Sequence, residues 1–383
     1  MERELYDQDH EAYREVVREF IRREVSPYKD EWDDAGIIPR EVYQAAAEQG
    51  LYAVSVPEKY GGSSIEDYRF RMVVCEEVGR ANALSWGLTL ALQDDLVLNY
   101  LLDLANEEQK QRWLPGFANG NIIGALAMTE PGTGSDLRSM RTTAKRDGDS
   151  YVVNGQKTFI SSGMTADLVV VAVRTERPDG KLGYSLIVVE NDTPGFERGR
   201  KLDKIGLPSQ DTAELYFNDA RVPESNVLGE EGKGLHYLMS HLPQERFGIT
   251  AMAIATARAI YDMTVEYCKE RESFGQRLID HQHIRFELAE MLTEIEIAQT
   301  YVDRSVLDLN AGRLTPIDAA KGKWYVTEMQ KRIVDRCLQL HGGYGYMREY
   351  PVAKAFVDTR VQTIYGGTTE IMKDLIGRDI AAS

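Results

Sequence analysis

The hydrophobic period of the chain changes twice, near residue 121 and near residue 228, and this limits the fold more sharply than any other feature. Up to about residue 120 apolar side chains recur at helical spacing. Val16, Val17, Phe20 and Ile21 fall on one stripe of Tyr13–Val25, and Glu41–Gly50, Tyr68–Gly79 and Ser85–Asp103 repeat the pattern. Short β-branched or aromatic runs follow: "IIGALAMTE", "YVVNGQKTFIS", "DLVVVAVRT", "YSLIVVEN" and "AELYFNDARV". Gly, Pro and Asp turns part them, which predicts a sandwich or barrel. From about residue 232 long helical patterns return. The expected fold class is therefore an α+β multidomain chain. An N-terminal all-α domain (1–120) precedes a central β-barrel or sandwich domain (121–228) and a C-terminal all-α four-helix-bundle domain (229–383). Strands and helices do not alternate as a doubly wound sheet requires.

Charge narrows the partners. With 61 acidic against 45 basic residues the net charge is −16, a field that repels phosphate backbones and argues against nucleic acid. The longest apolar runs, such as Leu168–Val173, are too short to span a bilayer. Cys75, Cys268 and Cys337 match no metal or redox spacing, so no metal site is expected and the thiols are read as free in a reducing cytoplasm. The opening "MERELYDQDHEAYREVV" is charged from its second residue and resembles neither a signal peptide nor a transit peptide.

Three glycine-dense segments stand out. "MTEPGTGSD" (Met128–Asp136) leaves an expected strand and brings backbone N–H groups into the open. It lacks the third glycine of a dinucleotide fingerprint, and by itself it is equally well a surface turn. "HGGYGY" (His341–Tyr346) follows a helix rather than a strand, so it is no P-loop. Its glycines suit a left-handed helix cap or a close approach to a ligand. "QTIYGGTTEI" (Gln362–Ile371) puts two glycines late in a helical region.

"AMTEPGTGSD", "NGQKTFISSG", "RESFGQRLIDHQ", "QLHGGYGYMREYP" and "IYGGTTEI" occur in this order and at these separations. In that combination the chain closely resembles the acyl-CoA dehydrogenase family of flavoenzymes, over essentially its whole length. The resemblance implies FAD as cofactor and an acyl-CoA thioester as substrate. It implies α,β-dehydrogenation to the trans-2-enoyl thioester, with an α-proton taken by a carboxylate and a β-hydride passed to flavin N5. Electrons then go to an electron-transfer flavoprotein, and the oligomer is a tetramer. By the same resemblance Leu126, Met128 and Thr129 lie along the flavin, and Ser135 lies near the pyrophosphates of FAD and CoA. Phe159 and Ser161 stand where the family has an aromatic residue against the flavin and a hydroxyl donor to it, although plain β-core remains open for Phe159. Arg271, Phe274 and Gln282 match positions that hold the far end of FAD from a neighbouring subunit. Gln339, Gly342 and Gly343 match the loop that closes over the cofactor, and Thr368 and Glu370 its last contacts. Ser135, Leu242, Arg246 and Gly367 are the expected substrate contacts.

Many family members carry the catalytic glutamate in a motif like "YEGT". Here "YGGT" puts Gly366 at that position, which leaves a backbone N–H for the thioester oxygen and no proton acceptor. Long-chain and isovaleryl-type members take their base from a helix instead, and "LPQERFGI" (Leu242–Ile249) matches that version with Glu245 as base. Physical reasoning agrees. Leu242, Glu245, Ile249 and Met252 share one otherwise apolar helical face. A carboxylate there is costly unless paired or catalytic. Adjacent Arg246 is expected to point away, burial to raise the Glu245 pKa, and a helix start at Pro243 to lower it. The bland alternative is a rim glutamate with its tip in water. Gln93 is a further candidate, at the pocket floor. Rival readings on the same scaffold are an acyl-CoA oxidase or a flavin monooxygenase, and outside it a non-catalytic flavin- or CoA-binding scaffold.

Overall fold

The computed structural model describes residues 3–176, 180 and 182–382. The first part is helical: α1 (Gln8–Phe20), α2 (Lys29–Ala35), α3 (Arg40–Glu48), α4 (Tyr68–Arg80), α5 (Leu84–Ala91), α6 (Leu98–Leu104) and α7 (Glu107–Ala118). Asp7 caps α1 and Asn106 caps α7, each as half of a reciprocal box that satisfies free N–H groups of the first turn. Of the expected stripe, Val17, Phe20 and Ile21 are buried. Val16 is exposed, while Arg14 is buried against Glu76 and Glu77 on α4. Wide helical turns at Ile21–Val25 and Leu92–Val97 shift the register of the apolar face.

Strands β1 (Gly124–Ala127), β2 (Thr143–Asp147), β3 (Ser150–Ser161), β4 (Leu168–Glu176), β5 (Leu182–Glu190), β6 (Phe196–Lys201), β7 (Thr212–Pro223) and β8 (Val227–Leu228) form one sheet. Its order is β6-β7-β3-β2-β4-β5-β8, with β1 parallel to β4. Val153, Leu215 and Phe217 from one half share a core with Val171, Ile187 and Val189 from the other, so the sheet closes over its own interior. The opposite face of β4 and β5 (Val170, Ala172, Leu186, Val188) joins the core of the helical parts. That explains the unbroken apolar run in β4, which is buried on both sides.

The last part holds α8 (Gly234–Glu270), a hairpin of β9 (Glu272–Ser273) and β10 (Gln276–Arg277), then α9 (Gln282–Asn310), α10 (Pro316–His341), α11 (Pro351–Asp358) and α12 (Thr369–Ala382). Among the described residues no helix is long and apolar enough to cross a membrane, and no acidic, His or Cys cluster could hold a metal. Pro243 lies inside α8 rather than at its start. The expected help of a helix N-terminus for Glu245 is therefore absent, because the dipole acts within the first turn.

Candidate active site

Three groups of the expected residues come together separately. The first lies between α8, α10 and the loop before α12. The Gly366–Gly367 turn has φ of +63° and +100°, which favours glycine at both positions. Arg246 Nε donates to the Gly366 carbonyl (3.2 Å), and Lys323 Nζ donates to the Gly367 carbonyl (2.5 Å). A Cβ placed on Gly366 would stand 3.4 Å from Glu245 Oε1, with only the tip of Ile249 in its way. The loop position and the helix position thus converge on one point.

Glu245 Oε2, Tyr100 OH and Tyr365 OH are all buried and have no hydrogen-bond partner. Buried polar atoms are normally satisfied, and here the Glu245 charge acts on both phenols. Three unpaired buried polar atoms share one neighbourhood, and with Glu245 Oε2 buried the rim-glutamate reading fails. Burial pushes the Glu245 carboxyl up to about 7, against the pull of Arg246 and Lys323. Arg246 is thus felt after all, although its Nε is engaged with the loop. Burial likewise brings Lys323 down to about 7, and the Glu245 charge opposes that. Leu242 packs on the same face, 6% exposed.

The second group lies on the β domain. Leu126 is buried in β1, while Met128 and Thr129 are half-buried just after it. Met128 accepts from Lys157 Nζ (3.0 Å), and the Thr129 carbonyl accepts from the Thr158 N–H (3.0 Å). Lys157 also pairs with Glu130, which takes the N–H groups of Arg141 and Thr142. This buried pair holds the glycine loop in place. A register shift in β3 between Lys157 and Ile160 throws Phe159 outward with φ of +58°. Phe159 is 68% exposed, so it is not β-core. Ser161 is half-buried beside it and Ser135 is exposed.

The third group surrounds the end of α8. Arg271, Gln339, Gly342 and Gly343 line a cavity of about 490 Å³, with the Arg271 guanidinium over the Tyr344 ring at 5.6 Å. Gly342 has φ +56° and ψ −135°, so it is not the left-handed cap, and a single narrow turn continues from α10. Phe274 sits on the β9–β10 hairpin, 98% exposed, and Gln282 opens α9 on the surface. Thr368 Oγ1 accepts from the Ile371 N–H (3.3 Å) at the start of α12, with Glu370 exposed beside it.

These surfaces fit a flavin dinucleotide. A Cβ on Gly132, Gly134, Gly342 or Gly343 would meet nothing within 4 Å, so both glycine loops leave open cradles. An uncovered aromatic face, hydroxyls and an exposed guanidinium are the donor set that a ring system and a pyrophosphate need. Gln93 is not a pocket floor in the expected sense. Its amide is fully engaged with the Gly124 N–H and carbonyl, tying β1 to the wide turn before α6.

Lys323, Tyr100 and Tyr365 escaped the sequence reading. A signal existed for Tyr365, inside the "YGGT" motif, and for Lys323, a cation at helical spacing with Ala319, Ala320 and Val326 on α10. For Tyr100 there was none.

Models of the acyl-CoA dehydrogenase N-terminal, middle and C-terminal domains match residues 7–121, 125–220 and 232–381. The mitochondrial long-chain specific acyl-CoA dehydrogenase of Sus scrofa is 43% identical over 99% of this chain and 88% of its own length. An acyl-CoA dehydrogenase structure from Geobacillus kaustophilus superposes with TM-score 0.94 at 45% identity, covering 98% of each chain. A glutaryl-CoA dehydrogenase from Mycobacterium smegmatis, solved with FADH2, gives TM-score 0.92 at 28% identity over 99% of this chain and 96% of that one.

Proposed function

The chain belongs to the acyl-CoA dehydrogenase family of FAD-dependent oxidoreductases, and on that premise we propose that Glu245 is the base that removes the α-proton of its acyl-CoA substrate. The observation that carries this is the convergence of the Glu245 carboxylate on the place where a Gly366 side chain would begin. FAD, when bound, supplies the two-electron acceptor for the hydride that leaves the β-carbon. The remaining work falls to protein groups. Gly366 offers a backbone N–H to the thioester oxygen, where negative charge grows as the α-proton leaves. Glu245, held near the ambient pH by burial, has the affinity that proton transfer needs. Leu242 and Arg246 bound the substrate side, and Gly367 lets the loop pass close to it.

For the cofactor we assign Leu126, Met128, Thr129, Phe159 and Ser161 to the flavin ring. Ser135 lies near the pyrophosphates, and Thr368 and Glu370 make the last contacts. Gln339, Gly342 and Gly343 close the cavity. Arg271, Phe274 and Gln282 reach the cofactor of a second copy. The bare Phe274 ring supports that shared site, and with it a homotetramer. An electron-transfer flavoprotein as acceptor and a cytoplasmic location complete the reading, the latter supported by three buried thiols that form no disulfide. The domain limits 1–120, 121–228 and 229–383 belong to the same proposal.

The test is anaerobic: purified protein is mixed with straight and branched acyl-CoA thioesters while flavin absorbance is followed. Bleaching by some members of the panel, with slow reoxidation in air, is expected. No bleaching by any member would sink the reading, and fast reoxidation in air would favour the oxidase.

A further inference from the structure

Lys323 is 0% exposed, a rare condition for lysine. It sits on α10 among Ala319, Ala320, Gly322, Val326 and Thr327, all buried. Among the described residues its ammonium donates to one acceptor, the Gly367 carbonyl, 44 residues further along the chain. A buried cation used only to tie down a loop is inefficient, because apolar residues of similar volume generally do as well or better. Two further facts give this one a purpose. The carbonyl before it in the turn is held by a second cation, Arg246 from α8. Both cations also act on Glu245.

We propose that Lys323 is a positioning residue for the reaction: with Arg246 it clamps the Gly366–Gly367 turn from two helices, and it carries its ammonium into the neighbourhood of Glu245. The proposal rests on Glu245 as base and Gly366 as thioester donor. In a planar trans peptide the N–H points opposite the carbonyl. Fixing the Gly366 carbonyl therefore fixes the Gly367 N–H, and fixing the Gly367 carbonyl fixes the Thr368 N–H. Two consecutive glycines can otherwise flip their peptide planes at little cost. The clamp removes that freedom immediately after the Gly366 N–H.

The charges around Glu245 leave few substitutes for Lys323. On α8 there is Arg246. From α6 and the loop come Tyr100 and Tyr365, whose burial raises their pKa values, so both are neutral hydroxyls. His241, one turn before Glu245, is engaged by Asp103 (3.0 Å), and Arg71 is paired with Asp95 (3.3 Å) beside Gly248. Glu328 and Glu370 also act on Lys323. The Glu245 and Lys323 charges favour each other.

Three variants separate the clamp from the charge. Lys323→Arg keeps both, Lys323→Gln keeps a donor without charge, and Lys323→Met keeps neither. Each is loaded with FAD, and the rate of anaerobic flavin reduction is measured against pH, together with kcat and KM. Removing the cation disfavours the carboxylate, so the acidic limb of kcat/KM moves up by about one pH unit in the Gln and Met variants. At the plateau, kcat falls about tenfold or more in the Met variant and less in Gln, because a slightly misplaced site loses rate steeply. KM stays within about threefold, and Arg restores most of the rate. A wild-type pH profile and kcat in both Gln and Met overturn the proposal. So does an equal loss of rate in all three variants with the limb unmoved, which is the mark of a purely structural lysine. If Met does not fold, the Gln and Arg profiles decide alone. Glu245→Gln is the control: near-normal bleaching by that variant would indict the base assignment, whereas an inactive Glu245→Gln beside an unaffected Lys323→Gln indicts Lys323.

Discussion

The surroundings of Glu245 and of Arg271 lie at different depths on the same long helix, α8. Around Glu245 the neighbouring polar groups come from α6, α8, α10 and the Gly366–Gly367 turn. Glu245, the Arg246 and Lys323 cations and the Gly366–Gly367 turn are buried or half-buried, and both cations donate to the turn. Around Arg271 the cavity is open, the guanidinium leans on Tyr344, and Phe274 stands almost wholly in solvent. The first region is enclosed and held by hydrogen bonds within the chain. The second is an open surface, which suits the proposed site shared with another copy. Chemistry that depends on a raised pKa must be dry and therefore internal. Binding of a large cofactor can be shared across a surface, where charge is cheap to hold.

Four experiments test that contrast, in decreasing order of expected effect. Glu245→Gln keeps shape and loses the acceptor, so flavin reduction should fall by roughly 10²–10⁴-fold with FAD content and acyl-CoA binding intact. A small loss would mean that the buried region is not the chemical one. Next, Gly366→Glu with Glu245→Gly should regain part of the activity lost in Glu245→Gly alone, while staying about 10²-fold below wild type. Recovery is limited because φ of +63° strains any side chain at 366 and Ile249 must shift. Gly366→Glu alone should be impaired, since two carboxylates would crowd one point. A double variant no better than Glu245→Gly, though folded and FAD-loaded, would show that the two positions do not converge on the α-carbon.

Arg271→Ala probes the open region. Loss of a charge-assisted contact to the pyrophosphate should weaken FAD retention by about ten- to a hundredfold, and sedimentation should show a looser oligomer. A fully flavinylated, intact assembly would remove Arg271 from the shared site. The smallest effect is on pH. Glu245 must be deprotonated to act, and burial places it at about 7. Below that value kcat/KM should fall about tenfold per pH unit as the carboxylate takes up its proton. A flat profile down to pH 5 would mean that substrate-free Glu245 is not the titrating group.

Much of the molecule was readable from residues alone. The three-part layout followed from period, since two-residue and 3.6-residue repeats are local properties that survive any packing. Glu245 was legible through the likeness of "LPQERFGI" to the long-chain type, with its place on an apolar helical face as support. The glycine at 366 was legible as a missing side chain.

What tertiary structure alone decided is orientation and depth. The proline at 243 looked like a helix start, but packing carried α8 straight through it. Phe159 alternates like a core residue in "NGQKTFIS", and one bulge turned it outward. Gln93 reads as a polar residue available to a pocket, yet Gly124, 31 residues away, takes up its whole amide. Lys323 lies 78 residues after Glu245 and Tyr100 lies 145 residues before it; no local pattern links either to it, and only folding brings them there. The reason is physical: sequence period encodes which face is apolar, whereas burial, desolvation and the direction of a hydrogen bond depend on what other segments place on that face.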